Sequence, residues 1–87
     1  MIFSVIIAAF NSEKWIKQTI NSLINQYLDF KSNVEVIIVD DNSCDNTQSV
    51  CEEFINKYPD NFKYVKNERN EGPGVSRNIG LNYATGA

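Results

Sequence analysis

Residues 34–45 read VEVIIVDDNSCD. Val34–Val39 is a nearly unbroken β-branched aliphatic run, the pattern of a strand covered on both faces of a parallel sheet. It ends abruptly on Asp40-Asp41, followed by the turn formers Asn42, Ser43, Cys44 and Asp45. Two adjacent carboxylates at the end of a buried strand are costly unless they are hydrogen-bonded or face a polar ligand. Asp40 is read as bracing neighbouring backbone amides and Asp41 as contacting a ligand.

On both sides of this stretch strand and helix patterns alternate, without a sequence repeat. Upstream, Ile2–Ala9 (IFSVIIAA) is a second apolar strand. Asn11 or Ser12 is expected to cap the helix after it, with Glu13 in the first turn, where the helix dipole favours a carboxylate. Trp15, Ile16, Thr19, Ile20, Leu23, Ile24, Tyr27 and Leu28 recur at helical spacing and form its apolar stripe. Downstream, Asp45 is expected to cap a second helix with Gln48 as capping-box partner. Val50, Cys51, Phe54, Ile55 and Tyr58 form the buried stripe, and Pro59 ends the helix. Phe62–Val65 is a short third strand, and Asn67–Gly74 a polar loop. Ser76–Ala84 is a third helix, with Val75, Ile79 and Tyr83 on one side. Strands alternating with helices predict an α/β fold, a Rossmann-like βαβαβα unit with parallel strands and right-handed crossovers.

In such sheets ligands bind beyond the C-terminal ends of the strands. Three loops are expected there: Ala8–Glu13, Asp40–Asp45 and Asn67–Arg77. Phe10 offers a ring on which a base can stack. The third loop combines Arg69 and Arg77 with Gly72 and Gly74, which suits close backbone approach and phosphate binding. A helix starting near Ser76 would aim its positive end at the same place.

Composition narrows the chemistry. The chain has 87 residues and a net charge of −3, and its eight basic residues are scattered, which excludes a nucleic-acid partner. It contains no histidine, so any base or metal ligand must be a carboxylate. Cys44 and Cys51 have neither zinc nor redox spacing. Cys51 falls on a buried stripe and Cys44 in a loop. The apolar stretch 2–10 is much shorter than the about 20 residues a membrane span needs. No basic run precedes it, as a secretory signal requires, so the reading is cytoplasmic.

Three segments carry a family resemblance: SVIIAAFNSEKWIKQTINSLINQ (4–26), VEVIIVDDNSCDNT (34–47) and NEGPGVSRNIGLNYATGA (70–87). In order, they resemble the opening of the family-2 inverting glycosyltransferases of the GT-A fold. There an apolar strand leads into Pro-x-Tyr/Phe-Asn-x-Glu, aliphatics into Asp-Asp-Gly/Asn-Ser-x-Asp, and Asn-x-Gly into Ala/Ser-Arg-Asn-x-Gly. The resemblance covers nearly the whole chain. It implies a nucleotide-diphosphate-sugar donor, UDP-linked, a saccharide or lipid-linked acceptor, and a divalent metal, Mn or Mg. By motif match Ala8, Phe10 and Glu13 line the nucleoside pocket, and Asp41 binds uracil or ribose. Gly72, Arg77 and Asn78 shape the nucleotide and diphosphate side. Ala8 departs from the family's usual proline or threonine.

The metal-binding Asp-x-Asp motif and the catalytic base of the family are not found among these residues. The expectation is therefore that residues 1–87 are the N-terminal nucleotide-binding part of a catalytic domain, truncated before that motif and inactive alone. Its place would be bacterial surface-polysaccharide synthesis, in the cytoplasm at the inner face of the membrane. The first strand's apolar edge would then be open to self-association.

Three other motifs compete. A dinucleotide-binding Rossmann unit needs Gly-x-Gly-x-x-Gly after the first strand, where Ala8-Ala9-Phe10-Asn11-Ser12 stands. A phosphoacceptor receiver module needs its acidic pair at the end of the first strand rather than the second. A calcium loop over Asp41, Ser43, Asp45 and Glu52 lacks the glycine at its sixth position, where Asn46 stands.

Overall fold

The computed structural model describes residues 3–26 and 29–84. The elements run β1 (Phe3–Ala9), α1 (Ile16–Gln26), α2 (Phe30–Asn33), β2 (Val34–Asp40), α3 (Thr47–Lys57), β3 (Phe62–Lys66) and α4 (Pro73–Tyr83). The three strands form one parallel sheet in the order β1-β2-β3. This is the α/β architecture expected from the alternation of patterns. α2 was not expected: it is a single turn entered through Asp29 in the left-handed region (φ 60°). Tyr27 and Leu28, read as part of the α1 stripe, lie outside the described residues, as does Ile2.

β2 is the central strand, and all seven of its residues are buried, which is why it reads as an almost continuous aliphatic run. Alternate residues serve opposite faces. Ile7, Ala9, Val36 and Ile38 join Ile16 and Ile20 of α1 and Cys51 and Phe54 of α3 in one core. Phe30, Phe54, Tyr58 and Phe62 close that core near the strand starts, with ring centroids 5.6–6.2 Å apart. Asn61 ties this end together. Its side-chain amide donates to the carbonyls of Phe30, Lys31 and Val34, and its own carbonyl accepts from Val36 N–H. Cys51 is fully buried here, and burial pushes its thiol up to about 12, which fits the packing role expected of it.

The other face belongs to α4, which packs on β1 and β2. None of the three apolar residues grouped on one side of this helix, Val75, Ile79 and Tyr83, is fully buried. Val75 and Tyr83 are exposed, while the residues facing the sheet are Ser76 and Gly80. A Cβ built on Gly80 would lie 2.5 Å from Ile6 Cγ2 and 3.3 Å from Val39 Cγ2. The contact is made by smallness rather than by apolar bulk, so hydrophobic periodicity pointed to the wrong side of the helix. Trp15 is likewise exposed, at the edge of the stripe assigned to it.

Near the start of the strands, on the α4 face, the buried Glu35 accepts from Ser4 Oγ at 2.6 Å and pairs with Lys63 at 3.5 Å. Lys63 also donates to the carbonyl of Tyr83, fastening the end of α4. Of the two sheet edges, β3 carries Lys63 and Lys66, whereas Phe3–Ala9 carries no charge. Among the described residues no helix is long and apolar enough to cross a membrane.

Candidate functional site

The strand ends continue past their pairing register. Asp41 N–H donates to Ala9 C=O at 2.7 Å, and Asn67 N–H to Asp40 C=O at 2.8 Å. The three loops therefore leave the sheet side by side and are bonded to one another. Asn11 N–H donates to Ser43 Oγ and Cys44 N–H to Asn11 Oδ1, at 2.9 and 2.8 Å. Ser12 N–H donates to Thr47 Oγ1 at 2.7 Å. Asn11 and Asn42 adopt positive φ, 47° and 63°, a conformation that asparagine tolerates better than most residues.

The expected caps take a different form. Neither Asn11 nor Ser12 caps α1 through its side chain. The Ser12 hydroxyl instead exchanges hydrogen bonds with the backbone N–H and C=O of Phe10, fixing that residue's backbone. Asp45 serves both helix starts, accepting from Thr47 N–H at 3.0 Å and from Glu13 N–H at 3.3 Å. Gln48 is not its capping-box partner. Gln48 bonds Glu52 and Lys66 instead.

Asp40 and Asp41 separate along the pleat. Asp40 is fully buried, accepting from Ser43 N–H at 2.8 Å and from the Tyr64 hydroxyl. Burial, and then this bond to Asp40, raise the pKa of Tyr64 far above its usual 10.0. Asp41 turns toward α4 and the third loop. Its Oδ1 accepts from Asn67 Nδ2 at 2.9 Å and Glu71 N–H at 2.7 Å, and its Oδ2 from Gly72 N–H at 2.9 Å. Burial alone would raise its pKa. The bonds from the Glu71 amide, Asn67, the Gly72 amide and Ser76 outweigh that and hold it below 3.8. Asp41 is thus a fixed carboxylate at neutral pH, acting only as an acceptor.

Beside it opens a cavity of about 390 Å³ lined by Ala8, Ala9, Phe10, Asp41, Asn70, Pro73 and Ser76. The wall is mostly apolar, with a few convergent polar groups, the usual make-up of a small-molecule pocket. Phe10 is 49% exposed although its backbone is clamped, so its ring is presented rather than packed.

Of the residues singled out by sequence, the structure brings Ala8, Phe10 and Asp41 to this cavity. Gly72 stands at its edge with φ 91°, capping α4 and bonded to Asp41. Glu13 does not line it. Glu13 lies on a separate polar groove with Lys14, Lys17 and Gln18. Arg77 and Asn78 are exposed on α4, one and two residues beyond the lining Ser76. Arg69 points elsewhere, paired with Glu71 at 3.0 Å. α4 begins at Pro73, three residues before its expected start, and Asp41 already bonds its N-cap amide. Asn70, Pro73 and Ser76 were missed as lining residues. Their signal was the Asn-x-Gly-Pro turn, which reverses the chain over the strand ends.

Among the described residues no three acidic or cysteine side chains gather where they could share an ion. Around the calcium-like spacing the oxygens of Asp41, Ser43 and Asp45 accept from N–H donors, so that segment is not a cation cage. The described residues alone do not make a metal site, and the motif through which the resemblance implies one is not among residues 1–87.

An open parallel sheet with a mostly apolar cavity over its strand ends defines an α/β fold with a candidate ligand site where such folds place one. The description "Glycosyl transferase family 2" matches residues 4–87, and the chain belongs to that family. It is 47% identical over 79 residues to the minor teichoic acid biosynthesis protein GgaA of Bacillus subtilis, covering 91% of this chain and 18% of that protein. It is 46% identical over 88 residues to the poly(ribitol-phosphate) beta-N-acetylglucosaminyltransferase TarS of Staphylococcus aureus, covering 99% of this chain and 15% of TarS. The crystal structure of S. aureus TarS 1-349 in complex with UDP superimposes with a TM-score of 0.89 at 44% identity, over 99% of this chain and 25% of that one. The mannosyltransferase PcManGT of Pyrobaculum calidifontis, in complex with GDP-Man and Mn2+, gives 0.82 at 25% identity, over 94% and 24%. The chain therefore spans less than a fifth of the length of the curated relatives named here. Family membership removes the dinucleotide-binding, receiver and calcium-loop alternatives.

Proposed function

We propose that residues 1–87 form the N-terminal nucleotide-binding part of a glycosyltransferase that moves a sugar from a UDP-linked donor to an acceptor hydroxyl with inversion. The supporting observation is the cavity that joins the presented ring of Phe10 to the ionised Asp41 in a chain matching the family along almost its whole length. The base stacks on Phe10, while Asp41 Oδ2, which accepts one amide, has room for a second donor. Uracil N3–H or a ribose hydroxyl supplies that donor. Ala8 leaves the floor open, and Gly72 lets the backbone pass close to the ligand. Arg77 and Asn78, on the exposed side of α4, extend the site toward the diphosphate.

The divalent metal and the catalytic base come from outside these residues in this reading, so the chain alone transfers no sugar. Relatives named for teichoic acid synthesis and for a poly(ribitol-phosphate) acceptor support a role in surface-polysaccharide assembly at the cytoplasmic face of the membrane. Without a neighbouring strand the uncharged β1 edge would let copies pair.

Calorimetric titration with UDP and CDP tests the assignment. Cytosine offers no N3–H, so an ionised Asp41 facing that edge meets an acceptor instead of a donor. A hydrogen bond lost against a buried charged acceptor is worth roughly 1.5–3 kcal/mol. UDP is expected to bind at least about tenfold tighter, the ratio that corresponds to 1.4 kcal/mol. Equal affinities would remove the uracil contact from Asp41.

A further inference from the structure

We propose that Asn67 is a positioning residue for nucleotide binding, its side-chain amide fixing the gap between the end of β2 and the start of α4 into which the base enters. The inference rests on the nucleotide-site reading above. Asn67 is 8% exposed and does not line the cavity. It lies behind it, lining a second depression with Glu68, Arg69, Glu71 and Ile79. Its Nδ2 donates to Asp41 Oδ1 at 2.9 Å and to Ser76 Oγ at 3.2 Å. Both partners line the cavity, and they belong to different elements. Its backbone N–H is bonded to Asp40 C=O, so the residue is anchored to the sheet. One amide group carries exactly the two hydrogens these two bonds use. Asn67 therefore sets the spacing of the two walls and turns Asp41 so that Oδ2, rather than Oδ1, faces the ligand.

The charge pattern makes this testable. Among the described residues, the groups bonded to Asp41 are donors: the Asn67 amide and the N–H groups of Glu71 and Gly72. Asp40 is turned to Tyr64 and Ser43, Glu71 is paired with Arg69, and Arg77 on α4 is exposed. Asn67→Asp keeps the shape but places a second carboxyl beside Asp41 Oδ1. Two carboxylates sharing a site cannot both ionise freely, and one is held protonated well above its usual range. While protonated, the new carboxyl donates to Asp41 as the amide did. Once ionised, it repels Asp41.

The test is UDP affinity by calorimetry from pH 5 to pH 8, with circular dichroism as a folding check, for wild type, Asn67→Asp, Asn67→Leu and Asp41→Ala. Ratios to wild type at each pH cancel the titration of UDP itself. For Asn67→Asp the ratio of dissociation constants is expected to be within about threefold of one at pH 5 and to rise about tenfold by pH 8, which corresponds to about one unit of difference in the new carboxyl's pKa between the free and the UDP-bound protein. Asn67→Leu, which has no donor and no charge, is expected to bind more weakly by a pH-independent factor. A folded Asn67→Asp variant whose ratio stays flat overturns the inference. If Asn67→Asp fails to fold, Asn67→Leu decides: wild-type affinity there overturns it, and a loss supports it. Asp41→Ala separates the two failures. If it binds UDP as wild type does, the nucleotide-site reading itself falls.

Discussion

Asp41→Ala is expected to abolish measurable UDP binding and to destabilise the fold by about 2–4 kcal/mol, from hydrogen bonds to a charged group worth roughly 1.5–3 kcal/mol each, only partly replaced by water. The side chain is 4% exposed and accepts from Asn67, Glu71 N–H and Gly72 N–H, so its removal leaves three donors without their acceptor and frees the loop that ends in α4. Chemical denaturation measures the stability loss and calorimetry the binding loss. The linkage with pH has a definite sign. The folded pKa of Asp41 lies below 3.8, so its stabilisation is fully present above that value and is lost as pH falls through the lower, folded pKa. Asp45, held down against burial by Thr47 and by the amides of Thr47 and Glu13, acts in the same direction. Stability should therefore hold from neutrality down to about pH 4 and fall below it. In Asp41→Asn the acid-side loss should be smaller.

Gly80→Leu is expected to cost about 3 kcal/mol or more, at the upper end of the range for overpacked cores. A domain of this length has only roughly 4–13 kcal/mol in total, so a large share of the population would unfold on mild heating. The cause is local. A Cβ at Gly80 already meets Ile6 Cγ2 at 2.5 Å, and both Ile6 and Val39 are β-branched strand residues with little χ1 freedom. Gly80→Ala should be milder, because the gain in helix propensity of about 1 kcal/mol offsets part of the clash. Lifting α4 also moves Ser76, so UDP affinity should fall even where the protein stays folded. Thermal melts of the glycine, alanine and leucine forms measure the series. An alanine form more stable than wild type would show that α4 sits farther from the sheet than the structure places it.

The sheet was legible because the chemistry of a buried parallel strand is blunt. Val34–Val39 and Ile2–Ala9 allow little else, and the carboxylate pair marks the end of β2. Within that pair the bracing expected of Asp40 is seen at Ser43 N–H, but Asp41 braces two amides as well, those of Glu71 and Gly72, while lining the cavity. What the pattern hid was any contact made by small or polar groups. α4 is held to the sheet by Ser76 and Gly80, which hydrophobic periodicity cannot register. Asn61 and Asn67 each join separate elements through one amide, and nothing in their local sequence marks them apart from other loop asparagines. α2 is one turn long and starts from a left-handed aspartate, too short to show a period. The basic residues were legible by type but not by placement. Their suitability for phosphate was read from type alone, yet Arg69 is occupied by Glu71 and Arg77 lies beyond the cavity wall.

The most direct measurement of the central claim is a titration of the 15N-labelled protein with UDP, followed by amide chemical shifts. A nucleotide held between a presented aromatic ring and a fixed carboxylate should move the amides of Phe10, Asp41, Asn70 and Ser76 together, with one saturation curve. It should leave the α1 groove of Lys14 and Lys17 undisturbed. Shifts confined to that groove, or a folded protein with none at Phe10 and Asp41, would contradict the assignment of this rim as the nucleotide site.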